Sequence, residues 1–118
     1  MLLSVEKTRI EPDVTVLAVA GRISIGRSAQ QLEWEMDELV KGNQNKVILD
    51  LAGVSHVDST GIGIIVLCSG KLKAAGGELR VAGASGLVDQ VLRLTKIDNI
   101  VRMFPTRADA AAGFAGHA

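Results

Sequence analysis

The chain opens with two runs rich in apolar and β-branched side chains, a pattern typical of β-strands. In the first run, Leu3 to Ile10, apolar and polar positions alternate at the start, and the second run, Val14 to Gly21, is more continuously apolar. Between them lies Glu11-Pro12-Asp13, where proline beside acidic residues favours a turn. The pattern therefore predicts an antiparallel β-hairpin over residues 1–21.

The apolar spacing then changes to that of a helix, with apolar side chains on one face and acidic ones at other positions. The apolar face comprises Leu32, Met36, Leu39 and Val40. Gly42-Asn43 is expected to end this helix with a left-handed cap. A strand with a buried centre is predicted at Lys46 to Leu51.

The segment from Gly61 to Cys68 is ambiguous, because its β-branched side chains would also suit a strand. Three features favour a helix: capping side chains at 58–60, helix-forming residues at 71–75, and the pair Gly76-Gly77 as a stop. Because the first half of this helix is so apolar, we expect it to be buried against a sheet.

The rest of the chain predicts two more strands and two more helices. Strands are expected at Glu78 to Ala82 and at Ile100 to Phe104. Ser85 is expected to cap the helix between them, and Pro105-Thr106 to open a final alanine-rich helix that frays at 116–118. The apolar side chains expected to point inward from the helix after Ser85 are Leu87, Val88, Val91, Leu92 and Leu94.

The resulting order is β-β-α-β-α-β-α-β-α, and each strand–helix–strand step is expected to cross over right-handed to a parallel neighbour. We therefore expect a single α/β domain over residues 1–118. Its mixed β-sheet would begin as an antiparallel hairpin and continue with parallel strands, with helices packed against it. A length of 118 residues, 47% of them hydrophobic, suits one domain with one core.

Charge and composition exclude several classes of function. The chain has 13 basic and 13 acidic residues and 3% aromatic residues, so we expect no nucleic-acid binding and no membrane binding. Apolar runs such as Ile64 to Cys68 are far below the ~20 residues of a membrane span, and no signal peptide is visible. The single cysteine, Cys68, allows neither an internal disulfide nor a cysteine-built metal cage. A cytoplasmic protein without metal or cofactor is expected.

The richest local feature is Asp58-Ser59-Thr60-Gly61-Ile62-Gly63, which lies between a predicted strand and a predicted helix. One interpretation is structural: the polar side chains cap the first helical turn, and Gly61 lets the chain turn tightly. The other is functional, because a helix N-terminus offers unpaired N–H donors and a partial positive charge to a phosphate group. The residues alone allow both interpretations.

Several catalytic motifs can be rejected. Gly61-Ile62-Gly63 lacks the third glycine of a dinucleotide-binding fingerprint, and Gly70-Lys71 lacks the other residues of a P-loop. His56, Asp58 and Ser59 are residue types of a hydrolytic triad, but they are too close in sequence for their side chains to converge. No catalytic residue is therefore predicted.

Three other kinds of residue lead to weaker expectations. Cys68 lies on an apolar helix and is expected to be an inert core residue. His56 and His117 lack the partners needed for a metal site. Trp34 interrupts the acidic face of the first helix and is either a core-flanking residue or an exposed anchor for a partner.

The segment from Val47 to Gly63 resembles the signature of the STAS domain, which is found in bacterial anti-sigma-factor antagonists and in the cytoplasmic tails of sulphate transporters. The resemblance covers nearly the whole chain. It includes Gly21-Arg22-Ile23, Gly76-Gly77-Glu78-Leu79 and Phe104-Pro105-Thr106. Without a membrane region, the transporter tail is set aside.

The resemblance also implies a modification site. In the antagonists, an anti-sigma factor that is an ATP-dependent serine kinase phosphorylates the serine after the aspartate of the motif, and a metal-dependent serine phosphatase of the PP2C type removes the phosphate. The matching residue is Ser59, with Thr60 as the alternative acceptor. The residues expected to contact the partner are Asp58, Ser59, Thr60, Gly61 and Ser24. Many family members have aspartate where this chain has Ser24.

The resemblance therefore implies an anti-sigma-factor antagonist whose unphosphorylated form binds the kinase and releases the sigma factor. Phosphorylation at Ser59 would switch this binding off. The protein would be a binding module rather than an enzyme, and a monomer or weak dimer. Two alternatives are a STAS scaffold or accessory subunit of a stress-signalling or lipid-transport complex, and a module that senses a small anion or nucleotide at Ser59.

Overall fold

Five strands form one mixed sheet in the computed structural model, which describes residues 3–115. In their order across the sheet, the strands are β1 (Ser4–Ile10), β2 (Val14–Ile23), β3 (Lys46–Val57), β4 (Glu78–Ala82) and β5 (Arg102–Phe104). β1 pairs antiparallel with β2, and every later pair is parallel. The predicted hairpin and the predicted mixed α/β sheet are confirmed.

Four helices and a short 3-10 turn connect and cover these strands. They are α1 (Arg27–Lys41), α2 (Ser59–Ala74), α3 (Gly86–Leu94), the turn at Ile97–Asn99, and α4 (Arg107–Ala115). The ambiguous apolar segment is a helix, as the caps and stop signals predicted. The region 116–118, where fraying was expected, and His117 within it lie outside the described residues.

The sheet separates two apolar clusters. The larger cluster packs buried side chains of α1, α2 and α3 against one face of the sheet, and the smaller one packs α4 against the other. Neighbouring residues of β3 show the division, because Val47 and Leu49 join the larger cluster while Ile48 joins the smaller. Alternation along a strand sends successive side chains to opposite faces.

β3 is much longer than the predicted strand over Lys46 to Leu51. Its first half pairs with both neighbours, whereas residues 53–57 pair only with the end of β2. The continuation after Leu51 contains Gly53 and polar residues, so the apolar pattern alone ended the strand too early. As a result, the turn after Val57 stands beyond the end of β4.

Several side chains that were expected to be inward are exposed. On α3, Val88 and Leu92 are buried, but Leu87 is 66% exposed and Leu94 is 81% exposed. A helix rotates by about 100° per residue, so a nine-residue helix cannot turn all its apolar residues to one side. The expectation that α2 is buried against the sheet holds for one side of the helix only, since Ile65 is buried but Val66 is 37% exposed.

Two predicted element ends are also corrected. The last strand begins at Arg102 rather than Ile100, because Ile100 still belongs to the turn after the 3-10 segment and its side chain is half exposed. The left-handed residue after α1 is Asn43, with φ 59°, while Gly42 has φ −87°. Asparagine accepts this conformation more readily than most residues.

Arg80 is a fully buried cation between the sheet and α4. Its guanidinium lies 4.0 Å from the ring centroid of Phe114 and 5.4 Å from that of Phe104. It donates hydrogen bonds to Glu78 Oε2 at 3.0 Å and to the carbonyl oxygen of Ala110 at 3.1 Å. These contacts fix α4 on its face of the sheet. The side chains of α4 itself are mostly alanine and offer less area for packing.

Candidate functional site

The candidate site is the turn from Asp58 to Gly61, which joins the end of β3 to the start of α2. Asp58 has extended backbone and is the N-cap of α2. Its Oδ1 accepts a hydrogen bond from the backbone N–H of Gly61 at 2.8 Å. This is the contact that an N-cap carboxylate makes with a free donor of the first turn, so the capping interpretation of the motif is confirmed.

The same carboxylate also binds the loop between β2 and α1. Asp58 Oδ2 accepts a hydrogen bond from the backbone N–H of Ile25 at 3.0 Å, and the N–H of Asp58 donates to the carbonyl of Ile23 at 3.2 Å. These two bonds flank Ser24 on either side along the chain. The structure thereby brings the loop of Ser24 beside the turn.

Ser24 is itself held at the start of α1. The hydroxyl of Ser28 donates to the Ser24 carbonyl at 2.8 Å and accepts from the Ser24 N–H at 2.9 Å. The backbone of Ser24 is thus fixed by the side chain of Ser28. The loop is therefore held by the Ser28 hydroxyl at one side and by the Asp58 carboxylate at the other.

Accessibility differs sharply along the turn. Ser59 is exposed, Asp58 and Thr60 are half-buried, and Gly61 is buried. A Cβ at position 61 would collide with the carbonyl oxygen of Ile23 and come within 2.9 Å of Val57 Cγ1. Gly61 is thus required for close packing of the turn against β2, and the most accessible hydroxyl is that of Ser59.

The electrostatics of the turn are dominated by Asp58. The N–H groups of Gly61 and, to a smaller extent, Ile25 lower the pKa of the Asp58 carboxyl below its ordinary value of 3.8. Hydrogen bonds to the ionised form favour that form. Asp58 therefore carries a full negative charge next to Ser59 at neutral pH.

This lowered pKa predicts an acid-dependent loss of stability. A carboxyl whose folded-state pKa is depressed stabilises the fold above its unfolded-state pKa, and the contribution is lost as pH falls through the folded-state pKa. Asp58→Asn keeps a capping oxygen without the charge. We expect wild type to exceed Asp58→Asn in free energy of unfolding near neutral pH, and the difference to shrink below about pH 4. Urea titrations across this range measure the difference, and a constant difference would contradict the assignment.

Comparison with known families identifies the family of this chain. The sequence profile of the STAS domain matches residues 7–110. The chain belongs to the STAS domain family. A Thermotoga maritima protein that bears the name of an anti-sigma factor antagonist is 29% identical to this STAS domain over 102 residues, covering 86% of this chain and 90% of that protein. Anti-sigma-F factor antagonist RsfB of Mycobacterium tuberculosis is 28% identical over 103 residues, with 87% and 83% covered.

Solved structures show the same fold. The crystal structure of an anti-sigma factor antagonist from Mycobacterium paratuberculosis superposes with a TM-score of 0.83 at 25% identity, covering 94% of this STAS domain and 92% of that chain. Phosphorylated SpoIIAA from Bacillus superposes with a TM-score of 0.73 at 15% identity, with 94% and 99% covered, which supports the fold alone. Within residues 3–115, no helix is both long and apolar enough to cross a membrane.

Other residues singled out in the sequence lie away from this chemistry. Cys68 is buried, so the prediction of a core residue is confirmed, and burial raises the pKa of its thiol to about 12. His56 Nδ1 lies 2.9 Å from Ser55 Oγ, while the Asp58 carboxylate is bound to backbone N–H groups. The rejected triad is therefore not assembled around Ser59.

Two exposed apolar residues on α1 and on the loop before it were missed or left undecided. Trp34, the undecided case, is 59% exposed on α1. Ile25 was not singled out, yet it is 77% exposed at the tip of the loop that Asp58 holds. The sequence does carry a signal that Ile25 is exposed. It is a lone branched apolar residue between Ser24 and Gly26, in a segment too short to form a helix or strand.

Proposed function

We propose that this STAS domain is an anti-sigma-factor antagonist that binds an anti-sigma serine kinase through the turn from Asp58 to Gly61 and the loop of Ser24. The observation that carries the proposal is an exposed Ser59 at the first position of α2, beside a carboxylate fixed by Gly61 and Ile25. The domain acts as a substrate of the kinase and as a binding module. It performs no catalysis of its own in this role.

Phosphorylation at Ser59 switches the interaction off by charge. A phosphate adds roughly −1.5 to −2 charges and three strong acceptor oxygens. The N–H groups and dipole of α2 stabilise this charge within the domain, so the fold is retained. The partner, in contrast, meets a phosphate next to the ionised Asp58. Binding then requires either contact between like charges or removal of water from the two anions.

The relatives support this role in two ways. RsfB of Mycobacterium tuberculosis, which matches most of this chain, is named an anti-sigma-F factor antagonist. SpoIIAA, which shares the fold, has been solved in both unphosphorylated and phosphorylated forms. Both forms superpose on this chain with a TM-score of 0.73, so SpoIIAA keeps this fold when it is phosphorylated. A serine phosphatase of the PP2C type would return the domain to its binding form.

The proposal is tested by incubation with ATP and the cognate anti-sigma kinase, read by intact mass. We expect wild type and Thr60→Ala to gain one phosphate and Ser59→Ala to gain none, because Ser59 is the exposed hydroxyl. Ser59→Ala should stay folded and lose about 1 kcal/mol or less in unfolding free energy, since Asp58 still caps the helix. If Ser59→Ala gained as much phosphate as the wild type, Ser59 would not be the acceptor, and Thr60 would take its place.

A further inference from the structure

A cavity of about 670 Å³ lies between α4 and the turn that joins β1 to β2, beside the start of β3. Its apolar walls are formed by Ile10 and Val14 of the hairpin and by Ala111 and Phe114 of α4. Val14 and Phe114 are only 4% and 7% exposed, so these walls are part of the smaller apolar cluster. Cavities of roughly 300–1,000 Å³ with mainly apolar walls are typical of small-molecule sites. Because three separate segments surround it, this cavity suits a compact molecule better than a flat protein surface.

The cavity exists because α4 has small side chains where it faces the hairpin turn. Besides Phe114, the helix contributes Ala108, Ala111 and Ala112 to the walls. The helix is held at this distance by Arg80, which donates a hydrogen bond to the carbonyl oxygen of Ala110 at 3.1 Å and stacks on the ring of Phe114. A Cβ on Gly113 would collide with the same guanidinium, so α4 and Arg80 fit closely. The fold therefore keeps open an apolar space that larger side chains on α4 would fill.

The charges around the cavity balance one another. Lys46 Nζ donates to Asp13 Oδ2 at 2.7 Å, and Arg9 Nη2 donates to the carbonyl oxygen of Pro12 at 3.3 Å. With the exposed Glu11, the turn and the start of β3 carry two acidic and two basic side chains. A charged ligand would have to compete with the pair of Lys46 and Asp13, whereas an uncharged ligand meets the apolar walls without that cost.

We propose that this cavity binds an uncharged, apolar small molecule, which contacts Phe114 and bridges α4 to the hairpin turn. The inference goes beyond the proposed function and does not depend on it. The cavity opens beside Lys46 at the start of β3, whereas Ser59 follows the end of that 12-residue strand. A molecule bound there leaves the turn from Asp58 to Gly61 accessible, so Ser59→Asp should bind it as the wild type does.

The test uses two fluorescent probes that share one ring system and differ in charge. N-phenylnaphthylamine is uncharged, and anilinonaphthalenesulfonate adds one sulfonate group. Both fluoresce more strongly in apolar surroundings, so a titration of the full chain gives a Kd for each. We expect the uncharged probe to bind at one site with a Kd at or below about 100 µM. The sulfonated probe should bind at least about 10-fold more weakly, because the charges at the rim are already paired.

Two variants fill the cavity from exposed positions of α4, namely Ala108→Trp and Ala112→Trp. The matched control is Gln30→Trp, which places the same side chain on an exposed position of α1 across the sheet. Each cavity variant should keep the wild-type melting temperature and bind the uncharged probe at least about 10-fold more weakly, since an apolar cavity binds only what its free volume admits. Gln30→Trp should bind like wild type. In the wild type, amide NMR shifts caused by the probe should be confined to residues 10–14, Lys46 and α4.

Several results would overturn the proposal. The first is the absence of probe binding to the folded wild type, and the second is binding that both cavity variants retain. Amide shifts centred on other exposed apolar side chains, such as Leu87 and Leu94, would place the probe elsewhere, and this readout decides the matter if a tryptophan variant fails to fold. Tighter binding of the sulfonated probe would show that the ligand class is wrong. A wild-type dimer that Ala112→Trp dissociates, without probe binding, would assign the cavity to a second copy of the chain.

Discussion

Ser59→Asp is expected to bind the anti-sigma kinase roughly 5- to 150-fold more weakly than Ser59→Ala, equivalent to about 1–3 kcal/mol. Both variants remove the hydroxyl, but only aspartate adds an anion beside the ionised Asp58. Aspartate and alanine are both compatible with a helix start, so circular dichroism should show the same fold for both. Calorimetric titration of each variant with the kinase gives the difference.

Ser59→Ala should bind the kinase with the same affinity as the unmodified protein. Added ATP should not release this variant from the kinase. One carboxylate carries less charge than a phosphate, so Ser59→Asp is expected to give part of the full effect. Equal affinities of two folded variants would show that this turn is not the contact surface. A scaffold that docks elsewhere, or a small-ligand sensor, would then explain the site better.

Replacing Arg80 by alanine is expected to lower the free energy of unfolding by about 2–5 kcal/mol. The long side chain fills the space between Phe104 and Phe114 and bonds the carbonyl of Ala110, so its removal leaves a cavity beneath α4. Urea denaturation, with the slope checked for two-state behaviour, measures the loss.

Arg80→Met is the matched control, because it restores most of the volume without the charge. Glu78 is partly exposed and can be solvated when its partner is lost. We therefore expect the methionine variant to lose about half as much as the alanine variant, or less, in line with apolar replacements of buried ion pairs. Equal losses would show that the guanidinium charge, rather than packing, fixes α4.

Element order and the position of the turn could be predicted because they depend on local signals. Each of these signals depends on residues only a few positions apart. They are the proline turn, the acidic helix with an apolar face, and the polar cap before Gly61. A helix cap within 58–60 was predicted for the same reason, and the structure shows that Asp58 provides it. The length of β3 was not predicted, since its outer half is stabilised by β2 rather than by its own apolar pattern.

Which apolar side chains are exposed could not be predicted, because exposure depends on what packs above each helix. Leu87 and Val88 are adjacent and similar in character, yet only Val88 faces the sheet. The bond between Asp58 and Ile25 joins residues 33 positions apart and leaves no trace in local sequence. The buried setting of Arg80 likewise needs Phe114, which arrives from the last helix.

The burial of Cys68 has a practical consequence for labelling. Thiol reagents attack the thiolate, and with a pKa of about 12 and no exposure this thiol supplies almost none at neutral pH. Since Cys68 is the sole cysteine of the chain, we expect the native protein to react with such reagents as though it had no cysteine. A cysteine placed at position 59 or 66 could then carry a fluorophore, a spin label or an anionic adduct at one defined point, with Cys68 left in place.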